Sequence, residues 1–293
     1  MSKSKNAPES SVVAQRIAVK ALAEEVHRRG DIHVRFQRGT TGAEGIATQK
    51  RVQSDLPGSY LREHAVSHDY MVGDESWCLN GRIDGCDPSA GLVEEYKTTR
   101  ADIDHMHAHI GHVHRAQLFL YGGLLAIEHP DVPHWQLDLC YCHPEQDEVS
   151  RRIGEACSRE TLLEFLEQSL ELWRQKQLAL YAYRGERNKR LQVLRFPFKK
   201  FLTNQRALAG KVYTALKAGN NLILEAATGS GKSLATLFPA YRALGDTALD
   251  RIFFLTSRTT GQDAAQAAAA LLDQSSARAV TIISKEKACL VPG

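Results

Sequence analysis

One short stretch of this chain combines the residue types that hydrolysis of a phosphodiester requires. Asp84 is followed by the acid-x-lysine pair Glu95 and Lys97. The reaction uses divalent cations, and magnesium takes oxygen ligands. Because side chains alternate along a strand, Glu95 and Lys97 would emerge on the same face. Asp84 and Glu95 are therefore candidate ligands of one ion, and the Lys97 ammonium is a candidate catalytic cation beside it.

Three further groups could complete this site. The main-chain carbonyl of Tyr96 is a candidate metal ligand between the acid and the lysine. Gln117 and Tyr121 are four residues apart in a segment with helical periodicity, so they would share one helical face. Both side chains can hydrogen-bond DNA or the reacting groups, and we add both to the candidate catalytic residues.

Hydrophobic periodicity predicts the elements that must hold these residues. The predicted strands are 31–36, 76–83, 91–98 and 135–142, and the predicted helices are 11–29, 44–54, 113–128 and 160–183. The charged run 184–190 is the best candidate for a linker. We therefore expect two domains, residues 1–185 and 194–293, joined by residues 186–193.

The order of these motifs resembles the PD-(D/E)xK superfamily, and within it the RecB-type nucleases, in which a Gln-x-x-x-Tyr helix follows the acid-x-Lys strand. The resemblance covers approximately residues 43–142. It implies an α/β fold with a restriction-endonuclease-like mixed sheet flanked by helices, and DNA cleavage that depends on Mg²⁺ or Mn²⁺. A salt-bridged hairpin is the alternative interpretation of Asp84, Glu95 and Lys97.

The family usually has one more metal ligand on a helix before the first strand. Glu44 is our candidate for this ligand, and a solvated glutamate at a helix start is the alternative. Gln49 lies about where a histidine would be expected. Either Glu44 suffices, or the metal site is weakened.

Histidines and cysteines offer two other possible metal sites. The cluster His105, His107, His109, His112 and His114 is interpreted as a loop and helix start that faces DNA, with zinc binding as the alternative. The pair at 140 and 142 is interpreted as buried thiols, because the downstream cysteine trio of the iron-sulfur nucleases is absent.

A phosphate-binding loop follows in the second half of the chain. The sequence 226–233 fits a relaxed Walker A motif after an apolar strand and before a helix. Lys232 would reach the terminal phosphates, and Ser233 would bind magnesium. The other candidate phosphate-binding residues of this loop are Thr228, Gly229, Ser230 and Gly231.

The elements around this loop predict a partial RecA-like P-loop domain with a parallel α/β sheet. The predicted strands are 221–225, 251–256 and 279–284, and the predicted helices are 212–216 and 233–244.

From about residue 194 onward the sequence resembles superfamily 2 helicases of the XPD/DinG type. By that resemblance Gln205 contacts adenine, ATP is the cofactor, and Cys289 would be the first ligand of an iron-sulfur cluster present only in a longer version. The chain stops before an Asp-Glu-x-His box, an arginine finger or a second motor domain. Nucleotide binding is therefore expected, but ATP hydrolysis and unwinding are not.

Bulk properties restrict the class of protein only loosely. The formal net charge of +3 and the pI of about 8.5 are compatible with nucleic acid but do not argue for it. The sequence has no secretory signal and no membrane span, so a cytoplasmic location without a membrane partner is expected by default.

The sequence thus predicts a DNA nuclease fused to an incomplete helicase motor, acting on single strands or ends in repair or defence. Its partners would be DNA and the missing helicase portion of a full-length protein, and its oligomeric state stays open. Two alternatives remain: a DNA- and nucleotide-binding protein that has lost cleavage, and a non-functional fragment of a larger nuclease-helicase.

Overall fold

A computed structural model of the protein describes residues 15–30, 40–54, 56–227, 229–272, 277–284 and 287. The chain divides into two compact units. The residues up to Leu178, together with those from Ile283 onward, belong to the first unit, and Ala179–Ile282 form the second. No helix in the described part of the chain is both long and apolar enough to cross a lipid bilayer.

The first unit is a mixed α/β structure. Its strands are β1 (Gln15–Ala18), β2 (Leu61–Val72), β3 (Glu75–Asp87), β4 (Leu92–Thr98), β5 (His134–Cys142) and β6 (Val149–Ser158). Its helices are α1 (Val19–His27), α2 (Gly42–Val52), α3 (Ile103–Glu128) and the start of α4 (Arg159–Gln192).

The six strands form one open mixed sheet in the order β1-β3-β4-β5-β6, and β2 pairs with β3. β1 runs parallel to β3 and β4 parallel to β5, whereas the other pairs are antiparallel. The middle of α3 is buried and packs on α1, β4 and β5. On the other face of β4, the ring of Tyr96 packs near Val52 at the end of α2. Helices therefore flank the sheet, as the sequence predicted.

Three of the predicted strands and the helices at 44–54 and 113–128 are present, with shifted ends. The predicted helix 11–29 was wrong at residues 15–18, which form β1 because they complete a ladder with β3. The sequence interpretation missed β2 and β6, whose exposed residues weaken the apolar signal. The predicted strand 31–36 lies outside the described residues.

The charged run predicted as a linker is helical, because α4 extends to Gln192. Arginine, glutamate and lysine are good helix formers, so low hydrophobicity alone does not indicate a break. Arg184 and the buried Arg187 also bind Asp250 within the second unit. These contacts attach the charged run to another segment of the second unit.

The second unit contains α5 (Gln205–Ala218), α6 (Lys232–Asp246) and α7 (Thr259–Ala270) around a small apolar core. The parallel sheet predicted here is not confirmed, because segments 221–225, 251–256 and 279–284 are irregular in the described residues. Ile223 and Leu255 are 98% and 88% exposed. An apolar run becomes a strand only when a neighbour completes its hydrogen-bond ladder, and the described residues of this unit form none.

The close packing around Gly85 of β3 predicts that a side chain at this position lowers the free energy of unfolding. A Cβ at Gly85 would lie 1.6 Å from the hydroxyl of Tyr60, whose ring is buried and cannot move aside. Gly85→Ala should lower the free energy of unfolding by about 2–3 kcal/mol. In the control Gly45→Ala in α2, the new Cβ meets only Thr98 Oγ1 at 4.0 Å, so this helix should be stabilised by about 0.5–1 kcal/mol. Urea unfolding checks both variants, and equal effects would contradict the packing described here.

Candidate active site

The sheet forks at Asp84. On one edge of β3, residues 77–80 pair with β1 and residues 85–87 pair with β4. Among the described strands, Gly81–Asp84 have no ladder partner on this edge. Instead, the Asp84 carboxylate accepts the main-chain N–H of Tyr96 at 2.8 Å. A side chain thus takes the place of a backbone acceptor at the fork, and this holds Asp84 against β4.

Glu95, Lys97 and Gln117 form a closed triangle of polar contacts beside the fork. Lys97 Nζ lies 2.5 Å from Glu95 Oε1 and 3.1 Å from Gln117 Oε1. The Gln117 amide nitrogen donates to the same Glu95 oxygen at 2.8 Å. The alternation of β4 and the facing position of α3 therefore bring these three residues together.

Tyr121 lies one turn beyond Gln117 on α3. Its hydroxyl interacts with the Gln117 side chain and with the main chain of Arg82 in the fork. A Cβ at residue 81 would lie 2.6 Å from the Tyr121 ring, so Gly81 allows this approach. All five predicted catalytic side chains consequently lie in one connected region.

The charges of this region are strongly perturbed. Burial and the nearby Glu95 carboxylate raise the pKa of Asp84 to about 8. For Lys97, burial alone would lower the pKa, but the Glu95 carboxylate outweighs it and raises the pKa above the ordinary value. The lysine is therefore charged, whereas the Asp84 carboxyl retains its proton to a higher pH than an ordinary aspartic acid.

A buried network on the opposite face of β4 supports the fork. The Glu94 carboxylate accepts from the hydroxyls of Tyr60 at 2.5 Å and Tyr96 at 2.8 Å, and it also binds Arg152. Arg152 bridges further to Asp138 on β5 at 2.6 Å. Because Glu94 and Tyr96 alternate with the site residues, this network fixes the strand that carries Glu95 and Lys97.

Asp84, Glu95 and the Tyr96 carbonyl offer oxygen donors of the type that divalent cations prefer. In the described part of the chain, however, no three His, Cys, Asp or Glu side chains are grouped to hold a metal. Glu95 Oε2 is buried with no hydrogen-bond partner among the described atoms. A cation there would satisfy this oxygen and relieve the repulsion between the carboxylates. Magnesium retains several of its waters, so a magnesium site needs few protein ligands.

Glu44 is engaged elsewhere. Its carboxylate caps the start of α2 through Thr41 and lies 2.9 Å from the Arg100 guanidinium. The hydrogen bonds from Arg100 and Thr41 lower its pKa to about 2. In this arrangement Glu44 is a helix-capping residue, which was the alternative interpretation of its position.

Helix α2 contributes amides to the fork instead of an acid. Gln49 donates to the Asp84 carbonyl at 3.4 Å and to the Glu63 carboxylate at 3.3 Å, and Gln53 donates to the same carbonyl at 3.0 Å. Glu63 has a positive φ of 52°, which is uncommon for a residue with a side chain. Gln53 and Glu63 were missed from the sequence. The four-residue spacing of Gln49 and Gln53 was the only available signal.

The histidine cluster lies inside α3, which begins at Ile103, and not in a loop. His107 and His114 contact Tyr141 on β5, whereas the rings of His105 and His109 contact each other. The cysteines Cys140 and Cys142 are buried, and burial raises the pKa of both thiols.

In the phosphate loop of the second unit, the lysine side chain is hydrogen-bonded to main-chain carbonyls of the same loop. Lys232 Nζ donates to the carbonyls of Ala226 and Ala227, both at 2.7 Å. Gln205 is buried, accepts the N–H of Leu202 and donates to the carbonyl of Gly231 at 3.2 Å. A nucleotide would have to replace the contacts of Lys232. Gly229 and Gly231 adopt positive φ, and the Ser230 hydroxyl donates to the Ala227 carbonyl. Ser233 is the second residue of α6. Thr228 and Cys289 lie outside the described residues.

Comparisons with known proteins identify no family. No protein-family model and no curated protein matches the chain. Among solved structures, the match to the crystal structure of SSO0001 has 18% sequence identity and a TM-score of 0.27. It covers 44% of this chain and 56% of that chain, so it spans about half the length of the matched protein. A likeness this distant carries no argument about the site.

The raised pKa of Asp84 predicts a distinctive pH dependence. The folded pKa of about 8 exceeds the ordinary value of 3.8, so the folded state binds this proton more tightly than the unfolded state. The Asp84 contribution to stability is therefore present below about pH 4 and is lost as the pH rises towards 8. Asp84→Asn should gain stability relative to the parent across this window, measured by urea unfolding at several pH values in EDTA.

Glu44→Gln is the matched control for this measurement. The Glu44 pKa is lowered, so its contribution is present above the ordinary value of 4.5 and is lost only as the pH falls towards 2. Between pH 5 and 8 its difference from the parent should be flat. A flat difference for Asp84→Asn as well would mean that Asp84 is not buried beside Glu95.

Proposed function

We propose that this chain is a metal-dependent DNA nuclease joined to a nucleotide-binding segment of a helicase type. One observation carries the proposal. Two carboxylates, an ammonium and an amide from β3, β4 and α3 lie together at the fork of the sheet. These are the groups that phosphodiester hydrolysis needs, and their positions agree with the resemblance to RecB-type nucleases.

In this proposal Asp84 and Glu95 hold Mg²⁺ or Mn²⁺ together with the Tyr96 carbonyl. When bound, the ion supplies Lewis acidity and lowers the pKa of a bound water. Lys97 stabilises the charge that develops on the phosphate, because its ammonium is held in place by Gln117. Gln117 and Tyr121 orient the reacting groups. The substrate class, DNA single strands or ends in repair or defence, rests on the family resemblance.

The second unit supports nucleotide binding only. Lys232 and the glycines of the loop have the types and positions to take up phosphates, with Ser233 as a magnesium ligand and Gln205 beside the loop. We do not propose ATP hydrolysis.

A cleavage-inactive DNA-binding protein is the second candidate function. The observation that favours it is the ion pair of Glu44 with Arg100, together with the amide of Gln49 where the family places a histidine. This candidate retains affinity for DNA but shows no metal-dependent cutting.

Substitutions at Asp84 and at Lys97 of the triangle test the first candidate. Asp84→Asn and Lys97→Met should each lower the rate of Mg²⁺- or Mn²⁺-dependent cleavage of labelled single-stranded DNA by about 100-fold or more, because each removes a charge that the transition state needs. EDTA should abolish cleavage by the parent. The exposed controls Asp74→Asn and Lys50→Met should cut like the parent. DNA binding without any cutting by the parent would favour the second candidate.

A separate measurement tests the phosphate loop. Lys232→Ala should weaken binding of a fluorescent ATP analogue about 10- to 100-fold, since it removes charge-assisted hydrogen bonds to phosphate. The exposed Lys211→Ala should bind like the parent. Equal affinity of both variants would mean that the loop does not take up nucleotide.

A further inference from the structure

A buried tyrosine next to the triangle has no role in the proposed reaction. Tyr141 of β5 is the ladder partner of Lys97 on β4 and is fully buried. Directly opposite residues of paired strands point to the same face, so Tyr141 shares the face of Lys97. Its hydroxyl lies 3.0 Å from His107 Nδ1 and 3.2 Å from His114 Nδ1, both on α3.

One hydroxyl between two ring nitrogens imposes opposite states on them. A tyrosine hydroxyl carries a single proton, so it donates to one Nδ1 and accepts from the other. One histidine must carry its proton on Nδ1, and the other must have a bare Nδ1. Burial and the nearby charge of Lys97 lower the pKa of His114 to about 3, so His114 is neutral. The three groups therefore form a directed hydrogen-bond chain.

The chain fixes α3 at two points along one face. His107 and His114 are seven residues apart, which is two helical turns, and Gln117 lies three residues further. The helix also makes room for the first ring: a Cβ at Gly111 would lie 2.5 Å from His107 Nδ1. The helix face that binds Tyr141 is thus the face that presents Gln117.

We propose that Tyr141, His107 and His114 are positioning residues that hold α3 where Gln117 reaches both Glu95 and Lys97. The effect of these residues on catalysis rests on the proposed function, whereas their effect on the position of Gln117 does not. Without the Tyr141 hydroxyl, the Nδ1 atoms of the half-buried His107 and His114 lose this partner. The first half of α3 then keeps the ion pair of Asp104 with Arg151 but loses its hydrogen bonds to β5 through Tyr141. Gln117, one helical turn beyond His114, then loses its fixed distances to Glu95 and Lys97.

The direct test follows the side-chain amide of Gln117 by NMR in the full chain. In Tyr141→Phe the hydrogen exchange of the Gln117 amide should accelerate about tenfold. This factor corresponds to the free energy of about one hydrogen bond. The ring nitrogens of His107 and His114 should show opposite tautomers in the parent. Unchanged Gln117 exchange in Tyr141→Phe, or identical tautomers in the parent, would overturn the proposal.

A matched pair of variants separates positioning from general stability. His114→Asn places an amide near the position of Nδ1 and should retain slow Gln117 exchange, whereas His114→Leu should show the fast exchange of Tyr141→Phe. If both variants exchange alike, the hydrogen bond to Tyr141 does not position Gln117.

Cleavage rates add a readout that distinguishes this proposal from the proposed function. If the parent cuts DNA, Tyr141→Phe should slow cleavage about tenfold in the parent and have little further effect in Gln117→Ala, because it acts through Gln117. Additive effects would contradict the proposal. If the parent does not cut, the proposed function fails, and the amide exchange alone decides the positioning role.

Discussion

The electrostatic conflict between the buried Glu95 carboxylate and the half-buried Asp84 carboxylate at a fork in the sheet is the constraint on which the rest of the first unit depends. Asp84 and Glu95 are drawn together by a main-chain hydrogen bond and by the pairing of β3 with β4. Among the described residues, the Lys97 ammonium is the cation that pairs with Glu95. Burying unequal charge costs free energy, and a folded protein retains such an arrangement where another charge is recruited.

Neighbouring elements hold this unfavourable arrangement in place from both faces of the sheet. On one face Gln117 and Tyr121 pack into the fork, which Gly81 leaves open. On the other face the hydroxyls of Tyr60 and Tyr96 bind Glu94 and lock β4 behind the site. The absence of side chains at 81 and 85 is therefore as necessary to the fork as the charges themselves.

The sequence predicted the parts of the site that follow from strand and helix periodicity. Alternation placed Glu95 and Lys97 on one face, and the four-residue spacing placed Gln117 and Tyr121 together. The sequence did not predict the contacts that depend on tertiary neighbours. Arg100 takes Glu44 away from the fork, although the two residues are far apart in sequence.

The same limit explains the errors in the fold. β2 and β6 are strands because long neighbours complete their ladders, despite exposed polar residues. Conversely, the apolar segments of the second unit have the composition of buried strands but no ladder among the described residues. The charged run after Tyr183 is helical because its arginines find Asp250. The local sequence pattern indicates which residues tend to be buried or exposed. Strand pairing and ion-pair partners decide which structure the segment forms.

The most direct test of the central claim is the position of a bound cation. Crystals grown with Mn²⁺ and measured for anomalous scattering should show a peak at the fork, within bonding distance of the Asp84 and Glu95 carboxylates. The Lys97 ammonium should remain beside it. A cation bound elsewhere, or a fork without an anomalous peak at saturating Mn²⁺, would contradict the account.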